Sequence, residues 1–193
     1  MSPLFCDCMD TKRLVKSVEI DGVECEIFTD FRDILEIFQI MNDPDLLDGE
    51  KFILSLDYFY KTDDYKINQE LAFKIMCEFL TMGNNEPDTK PNQKPLFDWE
   101  QDFNIIVAPV NKIIGEDVRG ISYLHWWTFL SAFMEVGECT FSTFVRIRSK
   151  INKGIKLDKE EEKIFKENRN SITLKKKYDA TTQALMDEIL GRG

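Results

Sequence analysis

Ser122-Tyr123-Leu124-His125-Trp126-Trp127-Thr128-Phe129-Leu130-Ser131-Ala132-Phe133-Met134-Glu135-Val136 carries the strongest structural signal in the chain. Tyr123, Trp126, Trp127, Leu130, Phe133 and Met134 recur at helical spacing on one wide face. Phe129, Ala132 and Val136 flank that face, which leaves Thr128, Ser131 and Glu135 as the polar strip. A helix apolar round so much of its circumference belongs at the centre of a helical protein, and Gly137 ends it. Trp126, Trp127, Leu130 and Phe133 are expected to be buried structural residues.

Other helical stripes lie on both sides. Downstream, Phe141, Phe144, Val145 and Ile147-Arg148 open a helix that turns basic toward Lys153-Gly154. Asp158-Lys159-Glu160-Glu161 then starts a charged helix, in the manner of a capping box, reaching about Asn168. Asp179–Leu190 places Leu185, Met186, Ile189 and Leu190 on one face of a short terminal helix, behind the Lys175-Lys176-Lys177 run. Upstream, Trp99, Phe103, Ile106, Val110 and Ile113 form a stripe opened by Asp98 and closed by Gly115. Pro109 inside it predicts a kink, because proline removes a backbone donor and crowds the preceding turn.

Residues 84–95 hold three prolines and Asn84-Asn85 with no large apolar residue, the composition of a loop or linker. Before it, Asn68 is placed to cap a helix carrying Leu71, Ile75, Phe79 and Met82 and stopped by Gly83. Phe52, Ile53, Leu56, Phe59 and Tyr60 form another stripe, closed by the polar run Lys61–Asp64. Thr29 and Asp30 stand at the cap of a helix carrying Phe31, Ile34, Leu35, Phe38 and Met41, broken by Asn42-Asp43-Pro44. In Lys16–Phe28, Val18 and Ile20 alternate with charged positions, and Val23, Cys25 and Ile27 alternate again after Asp21-Gly22, the signal of a two-residue β-hairpin. The expected fold is therefore mainly α, a helical bundle of about seven helices with one N-terminal β-hairpin. Its expected divisions are a hairpin-plus-helix region (1–83), a loop (84–95), a helical core (96–170), and a basic run with an amphipathic helix (171–193).

Composition narrows the function. The chain has 193 residues, 43% of them hydrophobic and 15 of them phenylalanine, ample for a buried core. No apolar run approaches the ~18 residues that a membrane span needs, and no basic flank precedes an apolar stretch at the N-terminus. A soluble intracellular chain without a membrane partner is expected. The formal net charge of −10 opposes nucleic-acid binding, which needs a basic surface. That charge is uneven: residues 1–145 carry 12 Lys/Arg against 27 Asp/Glu, whereas residues 146–177 carry 12 against 5. Unlike ends of this kind suit association with a second copy or with another chain. A solvated basic helix would look the same.

Little catalytic chemistry is written in the residues. His125 is the one histidine, so Ser-His-Asp or Cys-His catalysis would have to use it, yet its place on the most apolar helix reads as structural. Cys6, Cys8, Cys25, Cys77 and Cys139 lack the paired spacing of a zinc site or a disulfide framework, and Cys77 and Cys139 fall within apolar patterns as small buried hydrophobes. There is no glycine-rich phosphate loop. Asp63-Asp64 and Glu160-Glu161-Glu162 read as solvated surface. No enzyme activity and no cofactor are expected.

Leu96-Phe97-Asp98-Trp99-Glu100-Gln101-Asp102, the later Tyr123–Leu130 segment, Gly137-Glu138-Cys139-Thr140-Phe141-Ser142-Thr143 and the basic run through Arg148 and Lys150 together resemble the bacteriophage gp-fifteen family of long-tailed phages and prophages of Gram-positive bacteria. The resemblance marks Asp98, Trp99, His125, Trp126, Trp127 and Phe129 as motif residues and supplies no catalytic residue. It implies a gene lying between those of the major tail protein and the tape measure protein, where tail assembly chaperones are encoded. The implied role is a non-enzymatic tail assembly protein, a chaperone-like partner of the tape measure protein in the cytoplasm of the infected or lysogenic host. The alternative is a structural virion component, a tail completion or connector subunit. Candidate partner-binding residues are Lys175, Lys176 and Lys177 with Leu185, Met186, Ile189 and Leu190. Phe28, Phe31, Phe38, Phe52, Phe59 and Phe73 offer either an exposed apolar face for a helical client or simply the N-terminal core.

Overall fold

A computed structural model describes residues 13–83 and 94–175. Cys6 and Cys8, most of the 84–95 loop, Lys176, Lys177 and the terminal helix with Leu185, Met186, Ile189 and Leu190 lie outside the described residues. Within them the chain is mainly helical, with eight α-helices and one two-stranded hairpin. It forms two compact units. Unit one holds residues 13–83 and Leu124–Trp127, and unit two holds residues 94–123 and 128–175.

Unit one opens with the hairpin. Strand β1 (Ser17–Ile20) pairs antiparallel with β2 (Val23–Glu26), Ile20 opposite Val23. Asp21 and Gly22 both take positive φ, +47° and +83°, as a type I′ turn demands. Ile20, Cys25 and Ile27 are buried, so the alternation puts one face of the hairpin into the core. Helix α1 (Phe31–Asn42) starts where the Asp30 carboxylate accepts the Arg32 N–H, and it buries Phe31, Ile34, Leu35 and Ile37. Helix α2 (Asp48–Phe59) buries Leu56 and Phe59 but leaves Ile53 largely in solvent, so its stripe is narrower than the sequence predicts.

The polar run after α2 does not simply close the helix. It leads into a 3-10 turn (Asp63–Asn68) that buries Tyr65, stacked 5.0 Å from Tyr60 and donating its hydroxyl to Asp57 at 2.5 Å. Asn68 caps α3 (Gln69–Leu80) by accepting the Leu71 N–H, and α3 buries Ala72, Ile75, Met76, Phe79 and Leu80. Of the six phenylalanines, Phe31 and Phe59 are core, Phe38, Phe52 and Phe73 are half-buried, and Phe28 alone is classed as exposed. They build unit one rather than a continuous client face.

In unit two, Trp99 is not on the helix that its spacing suggests. Asp98 accepts the N–H groups of Glu100 and Gln101 in a separate turn, and α4 (Phe103–Ile114) begins after it. The helix runs through Pro109 and ends at Gly115, whose φ of +92° is left-handed. Helix α6 (Thr140–Asn152) is capped by Cys139, whose Sγ accepts the Ser142 N–H. Cys139 is thus a cap, not a buried hydrophobe. Helices α7 (Lys159–Glu167) and α8 (Arg169–Ile172) follow, with Asp158 and Glu161 forming the expected capping box. Phe144, Ile147 and Ile172 form a core cluster flanked by Ile105, Leu157, Ile164 and Phe165.

The central apolar helix, α5 (Trp126–Met134), is shorter than its sequence pattern. Residues 122–125 are not helical because their backbone is bonded elsewhere. Phe31 N–H donates to Leu124 O, Trp126 N–H to Thr29 O, and Leu124 N–H to the Asp30 carboxylate. Its buried set also differs: Phe129 and Ala132 are core, whereas Tyr123 and Met134 are exposed.

Candidate partner-binding face

The motif residues divide between the units. In unit one, the indole N–H of Trp126 donates to Leu80 O at 3.1 Å and that of Trp127 to Phe79 O at 2.9 Å. These are carbonyls of the last turn of α3, which no later residue of that helix can satisfy. His125 packs edge-on against Trp127, their ring centres 5.7 Å apart, with both ring nitrogens engaged. Nδ1 accepts the Trp127 N–H at 3.1 Å, so the proton sits on Nε2, which meets Val15 O at 2.8 Å. Burial pushes its pKa below the ordinary value, and Lys16 pushes it further the same way, against the hydrogen bond to Val15. This is a neutral cross-link between the chain before β1 and the start of α5.

Unit two holds the other motif residues, of which Asp98 adjoins a buried ion pair. Arg148 on α6 donates from Nη1 and Nη2 to the two oxygens of Asp102, at 2.6 and 2.9 Å. Its remaining N–H groups reach Leu96 O, Ser171 O and Ile172 O at 3.0, 2.8 and 2.6 Å. All five guanidinium donors are therefore used. Asp102 also accepts the Asp98 N–H at 3.0 Å, locking the turn that presents Trp99. The Trp99 ring sits 4.8 Å from Phe133 and 6.2 Å from Phe129, and Phe141 packs 5.4 Å from Phe133. The sequence reading passed over Arg148 as part of a basic helix. Its signal was there: it stands seven residues after Phe141 and four after Phe144, on the buried stripe of α6.

Other cations of the basic segment are also engaged. Lys150 donates to Glu161 at 2.6 Å, and Arg146 lies 3.4 Å from the same carboxylate and 3.3 Å from Glu138. The Lys150 ammonium first, then the Asp158 N–H, hold the Glu161 carboxyl down at about 2. Lys175, the one candidate partner-binding lysine among the described residues, is exposed, and its backbone N–H donates to Gln101.

Two open apolar grooves of unit two adjoin α6, one between α4 and the segment before α6, the other along α6 itself. One groove, of about 620 Å³, has Ile105, Pro109 and Ile113 among its apolar walls and Glu135 and Glu138 on its rim. A second, of about 530 Å³, is walled by Leu96, Phe133, Phe141 and Ile155 and rimmed by Arg146, Lys150 and Lys153. Val136 lines both. Such walls bind another apolar surface, with the charges fixing how it lies. The sequence shows the basic segment from residue 146 as suited to association and places Ile113, Phe133 and Phe141 on helical stripes, but that these apolar and charged residues line shared grooves follows only from tertiary packing.

Among the described residues no group of histidines, cysteines and carboxylates is arranged to hold a metal ion, and no helix is long and apolar enough to cross a membrane. No match was found among curated proteins or among solved structures. The family model described as "Bacteriophage Gp15 protein", however, matches residues 11–179. That span takes in the hairpin, the Asp98–Asp102 turn, the indole pair of α5 and Arg148, and the chain accordingly belongs to the Bacteriophage Gp15 protein family.

Proposed function

We infer that this phage protein is a non-enzymatic tail assembly factor, a chaperone-like partner of the tape measure protein acting in the host cytoplasm. The family match is the observation that carries the reading. The family's gene position, implied by the sequence resemblance, points to the tape measure protein as client. Two properties of the chain support it. The charge of −10 limits aggregation of a complex with a long apolar client, and the grooves along α6 leave apolar walls open to a helical segment. The non-enzymatic part is supported by His125, whose two nitrogens are both committed to backbone groups.

Co-expression with the neighbouring tape measure protein tests this. The expected result is a soluble tape measure chain that co-purifies with this protein; a tape measure chain equally insoluble with and without it overturns the reading. Mass spectrometry of purified particles then separates assembly factor from virion component. An assembly factor is absent or scarce, and a tail completion or connector subunit appears in stoichiometric amount.

A further inference from the structure

We propose that the α6 face of unit two pairs with the same face of a second copy of this chain, the two α6 helices running antiparallel across a two-fold axis. The proposal does not depend on the tape measure reading.

The apolar part of the argument is exposure in a continuous place. Met134 is 65% exposed, Ile155 52% and Ile113 44%, and all three line the two grooves that meet at Val136. Single exposed apolar residues are ordinary, but a joined apolar surface with a charged rim marks an interface. The occupant is chosen by charge. Glu135 and Glu138, against the single cation Lys112 of the same groove, precede the N-terminus of α6, whereas Arg146, Lys150 and Lys153 line the other groove toward its C-terminus. Of these, Glu138 faces Arg146 and Lys150 faces Glu161 within the chain, and Glu135 and Lys153 carry the complementary charge. At 1.5 Å per residue, the two rims lie on the order of 20 Å apart.

A face acidic at one end and basic at the other is complementary to itself under a two-fold rotation. Each copy's Glu135 then meets the other's Lys153, beside the Glu138–Arg146 pair, and the reverse contact follows by symmetry. Antiparallel α6 helices also set their dipoles in the favourable sense. A parallel arrangement would bring like rims together and is disfavoured on both counts. Among the described residues Lys153 takes part in no ion pair, so its charge faces outward to a second copy.

The experiment is a charge exchange on the full chain, read by sedimentation equilibrium. The wild type should be a dimer. Glu135→Lys with Glu138→Lys makes both rims basic; Ser149→Glu with Lys153→Glu removes the unpaired cation of the second rim and adds two carboxylates, while Arg146 and Lys150 stay paired with Glu161. Each double variant alone should associate more weakly by on the order of tenfold or more, since like charges then face each other. An equimolar mixture of the two should recover a heterodimer, because a basic rim again meets an acidic one at both ends. Recovery in the mixture also shows that both variants are folded. A wild type that stays monomeric at all accessible concentrations overturns the proposal. So do double variants that dimerise as well as wild type, which would place the interface elsewhere. Helical, folded variants that remain monomeric when mixed overturn it as well, since pairing of complementary rims requires rescue.

Discussion

Unit one fixes its interior with neutral hydrogen bonds from the indoles of Trp126 and Trp127 and the imidazole of His125, whereas unit two fixes its own with a guanidinium and a carboxylate. The tasks are alike: in each unit, side chains from one segment satisfy backbone carbonyls of another. The means have different weaknesses. A neutral donor lost from unit one leaves a carbonyl and a void. The Arg148 cation lost from unit two also leaves a buried anion, which has no good alternative in a low-dielectric interior. Motif residues near each other in sequence thus serve two kinds of cohesion.

Arg148→Ala should destabilise the chain by about 3–5 kcal/mol, the range for breaking a buried ion pair by removing one partner. Replacing both partners, Arg148→Met with Asp102→Leu, should cost much less than the two single changes added together, because no unpaired charge remains. Urea midpoints of wild type, Arg148→Ala, Arg148→Met, Asp102→Leu and the double variant check this. If Arg148→Ala unfolds no more easily than wild type, the ion pair does not hold unit two together.

Trp127→Ala belongs to the same range, about 3–5 kcal/mol for a large core aromatic, but for a different reason. It leaves a cavity beside Phe79, whose ring stacks 5.3 Å away, and it takes the indole donor from Phe79 O, which keeps only the Met82 N–H at 3.2 Å. Trp127→Phe separates the two contributions. It keeps most of the ring and loses the N–H, so it should cost about 1–3 kcal/mol. A melting temperature unmoved by Trp127→Ala, with partner binding abolished, would reassign the indole from core to recognition.

Unit one has its own buried carboxylate, and it differs from Asp102 in lacking a cation. Glu78 on α3 is 2% exposed, and neither carboxylate oxygen has a hydrogen-bond partner among the described residues. Glu78→Gln or Glu78→Met should therefore stabilise the chain, by about 1–3 kcal/mol if the full desolvation penalty is relieved. A loss of stability in both variants would mean that Glu78 is held by something outside the described residues.

What could be read from sequence follows the range of the interactions. The hairpin was legible because Asp21-Gly22 and the flanking alternation are local. The helices with their own caps, Asp30, Asn68 and Asp158, were legible for the same reason. The start of α5 was not, because residues 124 and 125 are kept out of the helix by bonds of Leu124 and Trp126 to Thr29, Asp30 and Phe31, about a hundred positions away. Tyr65 was lost within a polar run. Of the site residues, those in the Leu-His-Trp-Trp and Phe-Asp-Trp-Glu segments were visible as a pattern, yet Asp102 and Arg148, 46 positions apart, became a pair only in three dimensions. The α6 face is tertiary throughout.

The smallest expected effect concerns pH, and it again separates the units. His125 in unit one has a folded-state pKa lowered from 6.5, chiefly by burial. Its unfolded form therefore takes up a proton before the folded form does. The stability it contributes is present above about pH 6.5 and is lost as pH falls through the lower folded value. Glu161 in unit two, held down at about 2, contributes in the same direction but over a lower window, below its ordinary 4.5. Between roughly pH 6.5 and 5 the falling stability should thus belong mainly to His125. His125→Gln leaves an amide able to donate to Val15 O and removes the titration. Its urea midpoint should be lower than wild type at pH 7.5, yet should change less from pH 7 to pH 5. An unchanged slope in His125→Gln would show that the acid sensitivity lies in other groups and that the neutral cross-link of unit one tolerates a proton. Arg148→Met with Asp102→Leu should leave this slope as it is in wild type, because its charge pair belongs to the other unit.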